Sequence, residues 1–582
     1  MSLNNVNSYG ILRIISLTNL LALDMQYLKF HSLVTIILLV VFSEPVRAQI
    51  PSIQSFTPLY GKGGNVVTIQ GQNFDLSPQN NKVYFGTVQA EVKSSSNSIL
   101  EVIVPSVGGN ENIFVNVNRN IAVSPYKFLT TYNGLNFGTS SFTERVELST
   151  GEEPQDLFYA DFDNDGKIDL GTANYYDLTF SIFRNISTPG KIEFESEISL
   201  DDISGGGEVS VGDMNSDGLV DMIVFSYLKL ILYINNSTTG ISFEEPIIID
   251  DGFYPYPVGI NDPNHDGKLD LNASGYNFLN SSSESNISFE EPIRKGGGED
   301  SNPFLDINAD GAIDLVLSAS STFQVFLNKN NGIGNFEFNE EEEDVILNHR
   351  LASSSDLNSD TKVDLFVYDP TNELMGVVIN NSSIESLSFD DVKYLSKTTR
   401  NGYHISSGGD LDGDGYLDIF YHTKDEEITL IQFRLDEEGN FNFEEEVDFF
   451  NSSNEFDTSE IVDLDGDGKV DIVFMETTTS KLIVYRNLTE TNHDIDEEDD
   501  DVLSINRNSL ISIYPNPASN QILIDGSGDY TLELFDLAGN KLVHIIQATS
   551  LNLSNVKNGV YLLRVSDIDG QHKLTNRIVV SK

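Results

Sequence analysis

Carboxylates at alternate positions are the residues of this chain with the most definite chemistry. Seven times between residues 161 and 471 the sequence repeats a nine-residue stretch, Asp-x-Asp/Asn-x-Asp-Gly/Thr-x-x-Asp, starting at Asp161, Asp213, Asp262, Asp306, Asp356, Asp410 and Asp463. A hard cation such as Ca2+ takes about six to eight oxygen ligands, and oxygens at alternate positions of a tight loop can wrap one. The spacing assigns side-chain ligands to the first, third, fifth and ninth positions and a backbone carbonyl to the seventh. The expected ligand sets are Asp161, Asp163, Asp165, Lys167 and Asp169; Asp213, Asn215, Asp217, Leu219 and Asp221; and Asp262, Asn264, Asp266, Lys268 and Asp270. They continue with Asp306, Asn308, Asp310, Ala312 and Asp314; Asp356, Asn358, Asp360, Lys362 and Asp364; Asp410, Asp412, Asp414, Tyr416 and Asp418; and Asp463, Asp465, Asp467, Lys469 and Asp471. Up to seven Ca2+ ions are therefore expected.

The copies are not equivalent. Asn at the third position of copies two to five keeps a ligand oxygen but removes a negative charge, which predicts weaker sites there. The sixth position is a sharp turn that favours Gly, and copy five has Thr361 instead. A β-branched residue is disfavoured at positive φ, so copy five is expected to be the weakest. An EF-hand opens similarly, but it needs a bidentate Glu at position twelve and a following helix. Here the ninth-position Asp leads into stretches such as DMIVFS, DLFVYD and DIVFME, rich in β-branched and aromatic residues as strands are. Asp- and Asn-rich hairpin turns need no metal to form. Seven copies with one ligand spacing favour the metal reading over that simpler one.

The remainder of each repeat has its own regularity. A second apolar stretch ends near Asn (FSIFRN, LILYIN, FQVFLN, GVVINN, LIVYRN), and a segment of the type Phe-Glu-Glu follows. With the stretch entering each acidic loop, this predicts four strands per repeat. Loop starts lie 44 to 54 residues apart, a period that signals a propeller or solenoid. The seventh repeat stops at Asn487 without its last strand, while an unmatched segment of that kind, Phe142 to Leu148, precedes the first loop. The count balances if the chain closes on itself, which leaves few free sheet edges. The expected fold is all-β: a seven-bladed β-propeller flanked by an N-terminal immunoglobulin-like β-sandwich and a small C-terminal β-sandwich.

These repeats, over residues 135–488, resemble the FG-GAP/VCBS repeats of the integrin α-subunit head. That resemblance implies structural calcium in hairpins on one propeller face, partners on other loops or across the hub, and no enzyme. Residues 49–132 resemble an IPT/TIG domain through Pro58, Gly61, Gly64, the stretch Val67 to Phe74, Phe85-Gly86 and Val104-Pro105. Residues 506–582, opening with Tyr514-Pro515-Asn516-Pro517-Ala518 and ending RIVVSK, resemble the C-terminal sorting domain of Bacteroidetes type IX secretion substrates. The implied partner is the type IX secretion machinery, and the implied fate is release or attachment at the outer surface. The acidic run 489–505 reads as a linker extended by like-charge repulsion.

The first 48 residues read as a signal-peptide region. Lys29, the apolar run Leu33 to Phe42 and the small-residue site Val46-Arg47-Ala48 appear in that order, with Met25 as the expected true start. The apolar run is too short to span a bilayer, which needs about twenty residues, so no stable transmembrane span is expected in the mature protein. A formal charge of −56 argues against nucleic-acid binding, which needs basic surface for phosphates. There is no Cys, so metal is the available substitute for disulfide cross-links.

No HExxH, GxSxG or phosphate-binding loop accompanies the acidic loops, and His265, His404 and His422 are read as ordinary surface or strand residues. The expected function is non-enzymatic: a calcium-binding protein, secreted or attached to the outer-membrane surface, that acts in adhesion or in recognition of a glycan or surface protein. Phe253, Tyr254, Tyr256 and Tyr276 are candidates for stacking on sugar rings, against the simpler reading that they are blade core. The alternative is a polysaccharide-active enzyme or lectin-like accessory subunit on the same scaffold, a choice the fold alone does not make.

Overall fold

The computed structural model describes residues 50–580 except 136, 202–206, 227–228, 252–257, 274–275, 284–285, 295–303, 320–321, 330–336, 339–342, 348, 359, 385, 399–405, 407, 423–427, 436–440, 447–457, 492–511, 515–520, 526–529, 537–540, 558 and 567–571. The expected signal region, Phe253, Tyr254, Tyr256, His404 and most of the acidic linker lie outside the described residues. The described chain is all-β, and its helical content is two short 3₁₀ turns.

Residues 52–130 form a β-sandwich of two sheets that share the strand Val88–Ser95. Alternate residues of each strand point inward, and Val67, Ile69, Leu100, Val102, Ile113 and Val115 are fully buried between the sheets. Gly64 (φ 83°) and Gly86 (φ 57°) hold turns at positive φ, which glycine adopts at least cost.

Seven antiparallel sheets follow in chain order between Pro154 and Tyr485. The first is typical, with Pro154–Ala160, Asp169–Asn174, Thr179–Phe183 and Ile198–Asp201 hydrogen-bonded in that order. In six of the sheets the second strand starts at the ninth-position Asp, so the acidic loop joins strands one and two; in the sixth, the first described strand starts there. These second strands are buried on both faces, as DIVFME shows with all six residues buried, which explains their continuous apolar character. The sixth sheet has three strands among the described residues.

The seventh sheet joins Thr458–Val462, Asp471–Glu476 and Lys481–Tyr485 to Arg145–Ser149, a strand from more than 300 residues earlier in the chain. The unmatched segment before the first loop thus occupies the place its pattern implied. A second short pairing, Gly134–Leu135 with Glu490–Thr491, ties the two ends of the repeat region together.

The Phe-Glu-Glu segments differ from expectation. Their Phe residues (Phe194, Phe243, Phe289, Phe338 and Phe389) each make a single bridge to the Asn two residues beyond the third strand, and the fourth strand begins a few residues later. In the sixth repeat alone, Phe441–Glu446 is itself the strand. Residues 512–580 form a separate pair of sheets over a core that includes Ile522, Leu532, Leu534, Leu551, Leu563, Val565 and Ile578.

Candidate metal centres

Each acidic loop is shaped by its own backbone. In the first, Asp161 accepts N–H bonds from Asp165 (3.0 Å) and Gly166 (2.9 Å), and Asp165 accepts one from Lys167 (3.1 Å). Asp169 accepts from Phe162 N–H (3.0 Å) through one oxygen and from Asn185 N–H (2.8 Å) through the other. The bonds from the sixth-position N–H to the first Asp and from the seventh to the fifth Asp recur in all seven loops. The loops are therefore built alike whatever their charge.

Two positions in the turns are left-handed, the fourth position of the fifth loop lying outside the described residues. The sixth is Gly at φ between 85° and 98° in six loops, and Thr361 takes φ 71° in the fifth. The fourth position is also left-handed, with Asn164, Ser216, His265 and Ala309 between φ 54° and 61° and Gly413 and Gly466 at 78° and 74°. His265 is thus a turn residue. A non-glycine residue held in this region costs roughly 1–2 kcal/mol. Thr361→Gly should relieve that strain while keeping the N–H bond to Asp356 Oδ2 (2.7 Å). After the added backbone entropy of Gly, a gain of about 0.5–1 kcal/mol is expected, read as a higher denaturant midpoint at unchanged m-value.

Acidic oxygens converge within 4.8 Å of one another in three of the loops: Asp161, Asp163 and Asp169; Asp410, Asp412 and Asp418; and Asp463, Asp465 and Asp471. These buried acidic clusters could bind metal ions, and they are the three loops with Asp at the third position. Burial pushes Asp161 up to about 7 and Asp169 up to about 8, and it holds Asp410, Asp418, Asp463 and Asp471 well above the usual carboxylate range. Buried carboxylates without counter-charge protonate instead of staying ionised, and a divalent ion removes that penalty.

Three orphaned carboxylate oxygens in the loops sharpen the fit to a cation, and Asp163 Oδ1 of the first loop is one of them. Asp270 Oδ2 is buried without a partner because the second position of its loop is Pro263, which has no N–H to donate. Asp418 Oδ1 is buried without a partner because Phe433 stands where other repeats have Asn, and its N–H bonds Leu417 O at 3.3 Å instead. In a buried site such an oxygen calls for a ligand.

That Asn is the residue the sequence reading passed over. Asn185, Asn235, Asn280, Asn328, Asn380 and Asn487 are all at least 96% buried. Each donates its backbone N–H to the ninth Asp of its own loop at 2.7–2.8 Å. Their side-chain amides donate to the eighth-position carbonyl of the same loop and to the second-position carbonyl of the preceding loop in the ring. Asn235 reaches Val220 O and Phe162 O, both at 2.8 Å, and Asn487 reaches Val470 O (3.0 Å) and Leu411 O (3.1 Å). Asn185 reaches Leu464 O (2.8 Å) and so joins the first sheet to the seventh. The recurrent Asn was visible in the sequence, but its reach to a neighbouring sheet was not. These links also place all the tied loops on one face.

That face carries the N-terminal sandwich. Asp161 N–H donates to Thr87 Oγ1 (3.0 Å), Asp463 N–H to Gly108 O (3.0 Å), and Asn116 Nδ2 to Ser216 O (3.3 Å). Ile121 N–H donates to Gly267 O (2.7 Å), Asn110 Nδ2 to Ser355 Oγ (2.9 Å), Thr131 Oγ1 to Asp410 Oδ2 and Tyr132 OH to Leu411 O. The sandwich therefore bonds to six of the seven loop regions.

Beneath it, a cavity of about 380 Å3 is lined by Glu111 and Glu460. Next to it, burial pushes Glu208 up to about 7, and burial with the charges of Glu208 and Glu460 holds Asp156 well above the ordinary range. The native state thus binds protons that the unfolded chain releases, so stability is gained as pH falls from 7 towards the unfolded value near 4.5 and lost as pH rises. Glu208→Gln should be more stable than wild type at pH 8, by at most about 3 kcal/mol, and equal to it near pH 5. Denaturant melts of the chelated protein at the two pH values check this.

The comparisons with known proteins agree with the architecture. Family models match residues 51–141 as an IPT/TIG domain, residues 161–224, 213–271 and 410–474 as FG-GAP-like repeats, and residues 512–581 as a secretion system C-terminal sorting domain. The chain carries an IPT/TIG domain, FG-GAP-like β-propeller repeats and a type IX secretion sorting tail. It is accordingly secreted or attached to the cell surface, and no helix among the described residues is long and apolar enough to cross a membrane.

No curated protein matches the sequence. Similar solved structures include an auxiliary nutrient binding protein from Bacteroides thetaiotaomicron VPI-5482, 12% identical over 75% of this chain and 98% of its own, with a TM-score of 0.29. Its counterpart from Bacteroides ovatus ATCC 8483 is 13% identical over 75% and 98%, with a TM-score of 0.29. A lectin from Agrocybe aegerita is 17% identical over 70% and 100%, with a TM-score of 0.36.

Proposed function

We propose that this secreted propeller is a non-enzymatic recognition protein, stiffened by Ca2+ in its acidic loops, that engages a glycan or surface protein on the face opposite those loops. The observation that carries this reading is the seat of the N-terminal sandwich. It bonds to the loop face around the hub, so the hairpins joining strands two and three, at the other end of the sheets, lie on a face the sandwich does not cover.

On that face, Tyr175 and Tyr176 stand 44% and 66% exposed at the tip of the first repeat's hairpin, with ring centroids 5.4 Å apart. The tip is anchored by Asp177, which accepts the Glu152 N–H at 2.6 Å. Adjacent exposed aromatic rings on a rigid hairpin suit stacking on the apolar face of a pyranose. Tyr276, a candidate from the sequence, suits it less, because it is half-buried and Arg294 lies over its ring at 5.1 Å.

The test is a glycan array and polysaccharide retention assay with the wild type and a Tyr175→Ala/Tyr176→Ala variant. A loss of at least about tenfold in binding to whatever glycan the wild type retains is expected, given roughly 1–3 kcal/mol for truncating a stacked aromatic. Glycan binding that survives both substitutions, or cleavage of the polymer in place of retention, rules out this reading.

A further inference from the structure

The third strand of each repeat sets the charge of its loop. Continuing the antiparallel register by one residue places Arg184, Ile234, Leu279, Leu327, Ile379, Gln432 and Arg486 opposite the ninth-position Asp of loops one to seven. The partition is complete. Where the third loop position is Asn, in loops two to five, the opposing residue is Ile or Leu; where it is Asp, in loops one, six and seven, it is Arg, Gln and Arg.

The two arginines sit on the loop carboxylates. Arg184 Nε bonds Asp163 Oδ2 and Arg184 Nη2 bonds Asp165 Oδ2 at 2.8 Å. Arg486 holds Asp465 and Asp467 in the same way, both at 2.6 Å. Counting the four ligand side chains and the opposing residue, loops one and seven carry −3, as loops two to five do. Loop six carries −4.

Loop six differs in three further respects. Gln432 Nε2 donates to Asp412 Oδ2 at 2.7 Å, a neutral contact in place of the guanidinium. Its seventh residue is Tyr416, whereas loops one and seven have Lys167 and Lys469. Among the described residues no cationic group forms an ion pair with its carboxylates; Arg434, two residues further along the strand, pairs with Glu444 at 3.5 Å and reaches Asp412 and Asp414 only through its field. Asp418, fully buried, keeps an unpartnered oxygen, as Asp163 does in loop one.

We propose that Arg184 and Arg486 are resident counter-cations that lower the divalent-cation affinity of loops one and seven, and that Asp410–Asp418, whose carboxylates no cation contacts among the described residues, is the tightest cation site of the ring. The proposal rests on the calcium reading of the loops and adds an order of affinities. Counting carboxylates alone ranks loops one, six and seven together; the opposing side chains separate them. A fixed positive charge within a few ångströms of a bound divalent ion opposes it by electrostatic repulsion, worth at least about tenfold in affinity even in a partly solvated site. Without the ion, the same guanidinium relieves carboxylate repulsion and steadies the loop.

Titration of the chelator-treated full chain with CaCl2, followed by calorimetry, tests this with Gln432→Arg and Arg184→Leu. Both variants borrow a residue that another repeat already has at that place. Gln432→Arg is expected to weaken the tightest binding step at least about tenfold. Arg184→Leu is expected to add a second step at least about tenfold tighter than any that loop one shows in the wild type, and to lower the melting temperature of the metal-free protein. An unchanged tightest step in Gln432→Arg, or unchanged or weaker binding in Arg184→Leu, overturns the proposal while leaving calcium binding intact. No calcium uptake by the wild type overturns both this proposal and the metal reading beneath it.

Discussion

Stripping divalent cations with a chelator is expected to lower the melting temperature by on the order of 10 °C, and restoring Ca2+ should recover it. Each site filled at about a hundred times its dissociation constant adds about 2.7 kcal/mol through mass action. Three buried clusters in which acidic oxygens converge within 4.8 Å therefore carry about 8 kcal/mol between them. For a domain of this size that corresponds to roughly ten degrees or more. The sign follows from burial. Asp169, Asp418 and Asp471 are no more than 1% exposed, and without a cation each must be protonated or repel its neighbours. The effect should be larger at pH 8 than at pH 6, because protonation relieves the metal-free loops as pH falls. A melting temperature that chelation leaves unchanged at pH 8 would falsify the structural role given to the metal.

The second large effect concerns the asparagines that join one sheet to the next. Asn487→Ala is expected to cost about 3–5 kcal/mol. The side chain, with no solvent exposure, donates to Leu411 O, Val470 O and Tyr132 OH and accepts from Thr489 N–H at 2.9 Å. Truncation leaves buried backbone groups of two sheets and the sandwich's Tyr132 without that partner, and unsatisfied buried groups cost more than the bonds they replace. Asn381→Ala supplies the control: its amide bonds Asp390 Oδ1 at 2.8 Å in an exposed setting, and its loss should fall within about 0.5 kcal/mol. Equal losses in equilibrium denaturation would show that these asparagines are not what joins the sheets. The junction between the fifth and sixth sheets gives a natural comparison. Phe433 replaces Asn there and is fully buried with Leu357 and Phe366, its ring centroid 5.8 Å from that of Phe366, so apolar burial does the work of hydrogen bonds at that one seam.

The strand order within repeats was legible because ligand spacing, turn residues and β-branched runs are local properties. The Phe142–Leu148 segment could be assigned to the last repeat because a pattern of four strands leaves one place to fill. The Phe-Glu-Glu segments were misplaced by a few residues because their Phe is used for one bridge to Asn, a contact that strand propensity does not encode. Thr361 was singled out for the conformation it adopts, φ 71°. The left-handed fourth position was not, since four of its occupants are neither Gly nor alike.

The sequence by itself thus marked which residues could surround a cation, since a ligand loop is nine consecutive residues and needs nothing beyond them. Only the tertiary structure decided how those loops are charged, joined and covered. Arg184 lies 21 residues from Asp163, Asn185 reaches a carbonyl 279 residues away, and Thr131 donates to an Asp410 carboxylate 279 residues on. Contacts of that kind are set by sheet register, ring closure and the docking of a second domain, and these form only when the whole chain has buried its apolar faces.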